Sequence, residues 1–294
     1  MIGIDWGTSS FRAYRFGPDG AVLERRETEQ GILEVPEGQF PVVLRREIGP
    51  WLEAGESLVL LCGMVGSRQG WREAPYLPCP AGLAEIAATL THLPFEGARC
   101  LLVPGLTARD AAGVPDVMRG EETKLVALLE RLGPAESLVC LPGTHSKWVR
   151  VGRGRVLSFT THMTGETRAV LLEHSILGRM AAPDGAGDAA FARGVARGGE
   201  PGGLLHHLFG TRTLGLMGDL APAETESYLS GLLIGHEIRA ALAGAAAKGP
   251  VQLMASEALL AAYGRAFDLL GIPHQDHDPD MAAHGLVLIG RTLR

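Results

Sequence analysis

The chain lacks several features that would fix its class at once. None of its four cysteines, Cys62, Cys79, Cys100 and Cys140, stands in a C-x-x-C pair, and three lie inside apolar runs (LVLLCGM, ARCLLV, SLVCLPG). Buried reduced thiols are expected, with neither a disulfide framework nor a zinc knuckle. No apolar run approaches the roughly 20 residues needed to span a bilayer, and the chain enters a strand-like segment without a basic leader. A cytoplasmic protein with no membrane partner is expected. Positive charge is also scarce: 27 Lys and Arg against 33 Asp and Glu give a formal charge of -6. That argues against a nucleic-acid partner, because such surfaces work by releasing counterions from phosphates. Missing too are G-x-x-x-x-G-K-[ST], a G-x-G-x-x-G after a strand, G-x-S-x-G and H-E-x-x-H. His236-Glu237 comes nearest the last, but Ala240 occupies the place of the second histidine. Walker-type NTPases, Rossmann dehydrogenases, serine hydrolases and zincins all lose support.

What is present is a globular composition, 46% hydrophobic and 20% charged over 294 residues, long enough for two domains. MIGIDW, SFRAYRF and AVLERRE, the last two joined through GPDG, predict a β-meander. FPVVLRREIGPWLEAG has helical spacing and SLVLLCG reads as a buried strand. Residues 63–82 (GMVGSRQGWREAPYLPCPAG) read as a long loop, of the kind that commonly carries function. LAEIAATLTHL predicts a helix, RCLLVPGL a strand, and GEETKLVALLERLG a helix with acidic residues in its first turn. The second half repeats the design. SLVCLPGTHSKWVRV gives a strand, a Gly-Thr turn and a return strand, and RVLSFTTHMTG gives a third strand. From ETRAVLLEHSILGRM onward the chain is mainly helical, including a Gly- and Ala-rich helix over 224–247, with VQLMAS as one late strand. Two β-rich openings, each followed by helices, predict a duplicated α/β unit with domains 1–133 and 134–294.

The chemistry concentrates in the turns. Asp5-Trp6-Gly7-Thr8-Ser9-Ser10 sets a carboxylate at a strand end ahead of a glycine and three hydroxyls. Such a carboxylate can hold hydrated Mg²⁺, and Gly7, Thr8 and Ser9 can let phosphate oxygens approach their N–H groups. A β-turn that only satisfies its own backbone is the plainer alternative. A second turn of similar make-up, LPGTHSKW, offers Gly143, Thr144, His145, Ser146 and Lys147. Two such turns from two halves could grip one polyphosphate across a cleft, which is chiefly what phosphoryl transfer needs. Lys147 could instead be a solvated charge on the return strand. HQDHDPDMAAH brings His274, Asp276, His277 and Asp280 close in sequence, but their spacing matches no fixed ligand set and a solvated loop is expected.

These turns, with the late strand and helix VQLMASEALLAAYGRAFDLLG, resemble the phosphate 1, phosphate 2 and adenosine elements of the acetate and sugar kinase, Hsp70 and actin superfamily. More narrowly, GMVGSRQGWREAPYLPCPAG, PDVMRGEETKL, LPGTHSKWV, MTGE with HSIL, and SGLLIGHE are similar to the 2-dehydro-3-deoxygalactonokinase family, in order and nearly end to end. The resemblance implies a two-domain actin-like (ribonuclease H-like) α/β fold with an interdomain cleft. It also implies ATP and Mg²⁺ as cofactors, and conversion of 2-dehydro-3-deoxy-D-galactonate to its 6-phosphate in galactonate catabolism. The adenosine would lie at Ala255 and Ser256, where many relatives carry two glycines.

A carboxylate substrate asks for cations, and the 63–82 loop offers Arg68 and Arg72 with Trp71 and Tyr76. Arginine's fork suits a planar α-keto carboxylate, and Gln69 and Ser67 could read hydroxyls; Arg72 could instead pair with Glu73. For the base that takes the hydroxyl proton, PDVMRGEET offers Asp116, Glu121 and Glu122 beside Arg119, which could contact the substrate or the moving phosphoryl group. Glu121 ranks just ahead of Asp116, His145 is an outside candidate, and helix-start glutamates that only serve the dipole are the plainer reading. A sibling kinase for another sugar acid, such as 2-dehydro-3-deoxygluconate, and a nucleotide-switched sensor are the alternatives. A homodimer stays open.

Overall fold

A computed structural model describes residues 1–182, 187–243, 249–278 and 281–293. The chain forms two compact units: unit 1 is Met1–Glu136 with Val151–Ser158 and Pro279–Arg294, and unit 2 is Ser137–Arg150 with Phe159–Asp278. This division differs from a single cut at 133/134, because a hairpin tip and the helix that follows residue 280 lie with unit 1.

Unit 1 opens with the meander β1 (Ile2–Trp6), β2 (Phe11–Phe16) and β3 (Val22–Thr28). Ile2, Ile4, Trp6, Phe11 and Ala13 are sealed from solvent, and α1 (Phe40–Glu53) adds Val43, Leu44, Ile48 and Trp51 to the same core. β4 (Leu58–Cys62) then runs parallel to β1. Residues 63–82 are not a bare loop: β5 (Tyr76–Pro78) and β6 (Ala81–Gly82) pair with distant strands, a signal that local composition does not carry. The expected helix over 83–93 is also shorter. α2 (Leu83–Ala88) stops at Thr89, and β7 (Thr91–Leu93) joins as an edge strand against β8 (Arg99–Leu102). β9 (Gly105–Arg109) and β10 (Pro115–Met118) form a small sheet with β5, and α3 (Glu121–Leu132) follows.

Unit 2 repeats the opening with β11 (Ser137–Leu141), β12 (Ser146–Gly152) and β13 (Arg155–His162), the tip of the last hairpin belonging to unit 1. Helices α4 (Thr164–His174), α5 (Asp188–Arg197), α6 (Gly203–Met217) and α7 (Thr225–Ala243) come next, then β14 (Val251–Met254) and α8 (Glu257–Leu269). The segment expected as a solvated loop contains β15 (His274–His277), an edge strand parallel to β14 whose polar residues suit its exposed position. α9 (Met281–Arg291) packs on α3, where His284 Nε2 and Glu130 Oε2 lie 2.7 Å apart.

In both units the main sheet runs from the meander's third strand inward to its first and then to parallel neighbours: β3-β2-β1-β4-β8 in one and β13-β12-β11-β14-β15 in the other. The duplication expected from the sequence is therefore present in the topology. Cys62, Cys100 and Cys140 are buried and all four thiols are free.

Candidate functional site

In unit 1, Asp5 pairs in register with Cys62 of β4, so its carboxylate stands at the carboxyl end of two parallel strands, where open α/β sheets place ligands. Its neighbours are Arg12 Nη1 at 4.0 Å and Cys62 Sγ at 3.9 Å. Burial, and then the Asp5 charge, push the Cys62 thiol well above its ordinary pKa. Gly63 has φ +93°, and a Cβ there would stand 2.7 Å from the Trp6 carbonyl oxygen and 3.1 Å from Asp5 Oδ1. Gly120, at φ +106°, would place a Cβ 3.3 Å from Gly63 Cα. Only glycine fits either position, and the result is that the start of α3 is seated beside Asp5. The turn after β1 is held by Gly7 N donating to Ser10 O (2.8 Å) and Ile32 N donating to Gly7 O (3.0 Å), with Thr8 and Ser9 exposed. Gly31 backs the turn so closely that a Cβ would meet Thr8 O at 2.1 Å.

The acids at α3 divide by environment. Glu121 is partly exposed and accepts from Arg119 N (3.1 Å). Glu122 is sealed in, accepting from Gly120 N (2.6 Å) and from Thr123 Oγ1 (3.1 Å). Burial, and then the neighbouring Glu121, raise the Glu122 carboxyl to about 8. Asp116 lies on β10, and its carboxylate accepts from Val117 N (2.7 Å). Arg119 is buried, donates from Nη2 to Ala74 O (2.7 Å) and lies 4.3 Å from the centre of the Tyr76 ring.

The arginines expected to hold a carboxylate are placed differently. The Arg68 side chain is 86% exposed and 3.6 Å from Glu73, because nothing packs over it. Arg72 reaches back to the His92 carbonyl (3.0 Å), not to Glu73, and Gln69 is exposed. Trp71 stacks on Phe40 at 6.4 Å and meets Phe95 edge-on, so it braces the unit 1 core rather than offering a free platform.

In unit 2 the turn at Gly143–His145 follows β11, and Ala255 and Ser256 follow the adjacent parallel strand β14, so both stand at the same edge of the sheet. A Cβ on Gly165 would lie 2.4 Å from Gly143 O, and Glu166 N donates to Thr144 O (3.0 Å), so the start of α4 fixes the turn. His145 Nε2 contacts Glu166 Oε2, and Thr144 and His145 are exposed. Ser146 does not face this edge with its hydroxyl. It is buried, 3.0 Å from Tyr263 OH, which donates to Glu237 Oε2 (2.7 Å), while Trp148 Nε1 donates to Glu237 Oε1 (2.8 Å). Burial pushes the Tyr263 phenol up. Lys147 is no solvated charge: it is buried and donates to Thr161 Oγ1 (2.7 Å). A cavity of about 410 Å³ opens nearby, lined by Thr161, Met163, Thr164, His236 and Glu237 among others. Glu166 and Gly165 escaped the residue-level reading, although MTGE had stood out as a block.

His277 contacts Gln252 Oε1 (2.6 Å), and among the described residues no group of three or more His, Cys, Asp or Glu could hold a metal. Asp280 lies outside the described residues.

The family described as 2-keto-3-deoxy-galactonokinase matches residues 5–289. The chain belongs to this family. A Rhizobium meliloti (strain 1021) relative described as "Probable 2-dehydro-3-deoxygalactonokinase" is 40% identical, over 99% of this chain and 96% of its own. The Escherichia coli (strain K12) 2-dehydro-3-deoxygalactonokinase is 36% identical, over 92% of this chain and 90% of its own. A crystal structure of a Sinorhizobium meliloti protein described as a "putative 2-dehydro-3-deoxygalactonokinase protein" superposes with a TM-score of 0.93 at 39% identity, covering 99% of this chain and 98% of that one. The chain thus shares the α/β fold of that structure, arranged in two compact units. Its kinase character follows from the family, and no helix of its described residues is long and apolar enough to cross a membrane.

Proposed function

We propose that the chain transfers the γ-phosphoryl group of ATP to 2-dehydro-3-deoxy-D-galactonate, giving the 6-phosphate in galactonate catabolism in the cytoplasm. The observation that carries this reading is the family match that begins at Asp5 and runs to residue 289. In it, residues 1–133 supply the first phosphate turn and the sugar-acid site, and residues 134–294 supply the second phosphate turn and the adenosine site. Thr8 and Ser9, and Gly143 and Thr144, hold phosphates through N–H and hydroxyl groups, and Gly7 lets the phosphate approach the first turn closely. His145 is oriented by Glu166, Ser146 and Lys147 stiffen the second turn from behind, and Ala255 and Ser256 meet the adenosine.

The donor chemistry at Asp5 fits Mg²⁺: a hard carboxylate oxygen beside a cradle that any Cβ at Gly63 would fill suits an ion that keeps most of its waters. When bound, the ion neutralises charge on the phosphates. Glu121, at the helix start seated beside Asp5, takes the proton of the substrate hydroxyl. A homodimer belongs to the same reading; the exposed Leu205, Phe209, Leu216 and Met217 along α6 are the face to examine by light scattering.

A coupled ADP-release assay over a panel of 2-keto-3-deoxy sugar acids, with and without EDTA, tests the reading. Metal-dependent turnover with the galactonate-derived acid, at a higher kcat/KM than with its gluconate epimer, is expected. No product from any acid overturns it.

A further inference from the structure

Arg119 is the odd charge in unit 1. Its residue is only 9% exposed, yet Nε and Nη1 have no hydrogen-bond partner. Among the described residues no carboxylate oxygen lies within ion-pair distance of the guanidinium, whose one side-chain hydrogen bond runs from Nη2 to the Ala74 carbonyl. The Arg119 charge reaches Glu122, whose carboxyl is nonetheless held high by burial, but Nε and Nη1 meet no acceptor, and buried donors left unpaired are costly in general. The placement is enforced. The Ala74 carbonyl anchors one end, the Tyr76 ring lies under the guanidinium at 4.3 Å, and a Cβ on Gly66 would come within 2.9 Å of Nη1. The next residue, Ser67, is 7% exposed and its Oγ is also without a partner. Two neighbouring stretches of one unit therefore carry buried, unused donors, and Arg119 sits directly ahead of α3, whose N-terminus adds a favourable potential for an anion.

We infer that Arg119 and Ser67 form the recognition point for the carboxylate of the sugar acid. The inference rests on the proposed kinase reaction and moves the carboxylate from the solvent-facing Arg68 to a desolvated guanidinium. Charge-assisted hydrogen bonds are strongest away from water, and a planar cation matches a planar carboxylate. Arg119 N also donates to Glu121 Oε2 (3.1 Å), so the residue that reads one end of the substrate orients the base for the other end. The other anion within the chemistry, the phosphoryl group in transfer, makes the opposite prediction about kinetics.

The test is calorimetric binding of the sugar acid and of its primary amide, without ATP, to wild type, Arg119→Lys, Ser67→Ala and Arg68→Ala, together with steady-state kinetics. Wild type should prefer the acid over the amide by about tenfold or more, since the amide leaves buried donors poorly matched. Arg119→Lys should remove most of that preference and Ser67→Ala part of it, with KM for ATP within about twofold of wild type, while Arg68→Ala keeps the preference. An unchanged acid-over-amide ratio in both Arg119→Lys and Ser67→Ala overturns the assignment, as does a loss of preference in Arg68→Ala alone. A fall in kcat for acid and amide alike, with binding intact, gives Arg119 to the phosphoryl group and also overturns it. Should Arg119→Lys fail to fold, the ratio in Ser67→Ala decides. Wild type that binds the acid and discriminates through Arg119 but forms no phosphorylated product would instead sink the kinase reading and leave this site standing.

Discussion

The two glycine-hydroxyl turns occupy corresponding places in the two units, at the end of the first strand of each meander, and they are built for different loads. Both are locked from behind by a glycine from a later segment: Gly31 against Thr8 O, and Gly165 against Gly143 O. In the first turn the polar groups face outward, with Thr8 and Ser9 exposed and Asp5 at the rim. In the second, Ser146 and Lys147 are buried and spent on Tyr263 and Thr161, leaving Thr144 and His145 outside. A repeated topology thus does not repeat its chemistry. The first turn presents Thr8 and Ser9 beside a rim carboxylate, and the second presents Thr144 and His145 over a buried polar core.

The largest effect should come from Asp5→Asn, which removes the carboxylate that the second turn has no counterpart for. Turnover should fall by roughly 10²-fold or more with the circular dichroism spectrum unchanged; turnover at the wild-type rate would take Asp5 out of the metal role. Next come Gly31→Ala and Gly165→Ala, each driving a Cβ into a carbonyl oxygen at 2.1 or 2.4 Å. Displacement of a turn by an ångström should cost about 10²-fold in kcat/KM for ATP; if only one variant is impaired, the turns do not share the nucleotide. Ser146→Ala and Ser9→Ala sharpen the contrast further. The first removes one of the two partners of the buried Tyr263 hydroxyl and should lower stability by about 0.5–1.5 kcal/mol in denaturant titration while KM for ATP stays put. Ser9→Ala should do the reverse, and a reversed pattern of results would show that the turns had been read the wrong way round.

The smallest effect concerns Glu122, whose buried carboxyl lacks the tyrosine and tryptophan donors that Glu237 has behind the second turn. The folded pKa of Glu122, about 8, lies above the ordinary 4.5, so between those values the native state holds a proton that the unfolded chain has released. Stability from this group is therefore lost as pH rises from about 4.5 to about 8. Melting curves of Glu122→Gln against wild type should show the variant gaining on wild type across that window, by roughly 2–4 °C per kcal/mol. A gap independent of pH would mean that Glu122 titrates normally.

The parts of this molecule legible in the sequence are those written in local pattern. The meanders, α1, α3 and the long helical stretch follow from alternation, spacing and capping, and the five blocks quoted for the family led to the right one. What escaped was set by distant partners. β5, β6, β7 and β15 are short strands that exist only because another strand lies beside them, so LAEIAATLTHL and HQDHD misled. The same holds at the candidate site. Arg68 and Arg119 are both plausible carboxylate ligands in a string of letters, and only burial separates a solvated side chain from a desolvated one. Ser146 and Lys147 look like exposed turn residues until Tyr263 and Thr161 are brought against them.

The seating of α9 on α3 has a consequence for biogenesis. The helix that covers α3 is translated only after all of unit 2, so the side of α3 that carries Thr123 and Glu130 stays uncovered until then. A fragment cut at 133 would carry the same bare face for good. Unit 1 is therefore completed by a helix that lies beyond unit 2 in the chain, and truncation ahead of residue 281 should expose the side of α3 that α9 covers.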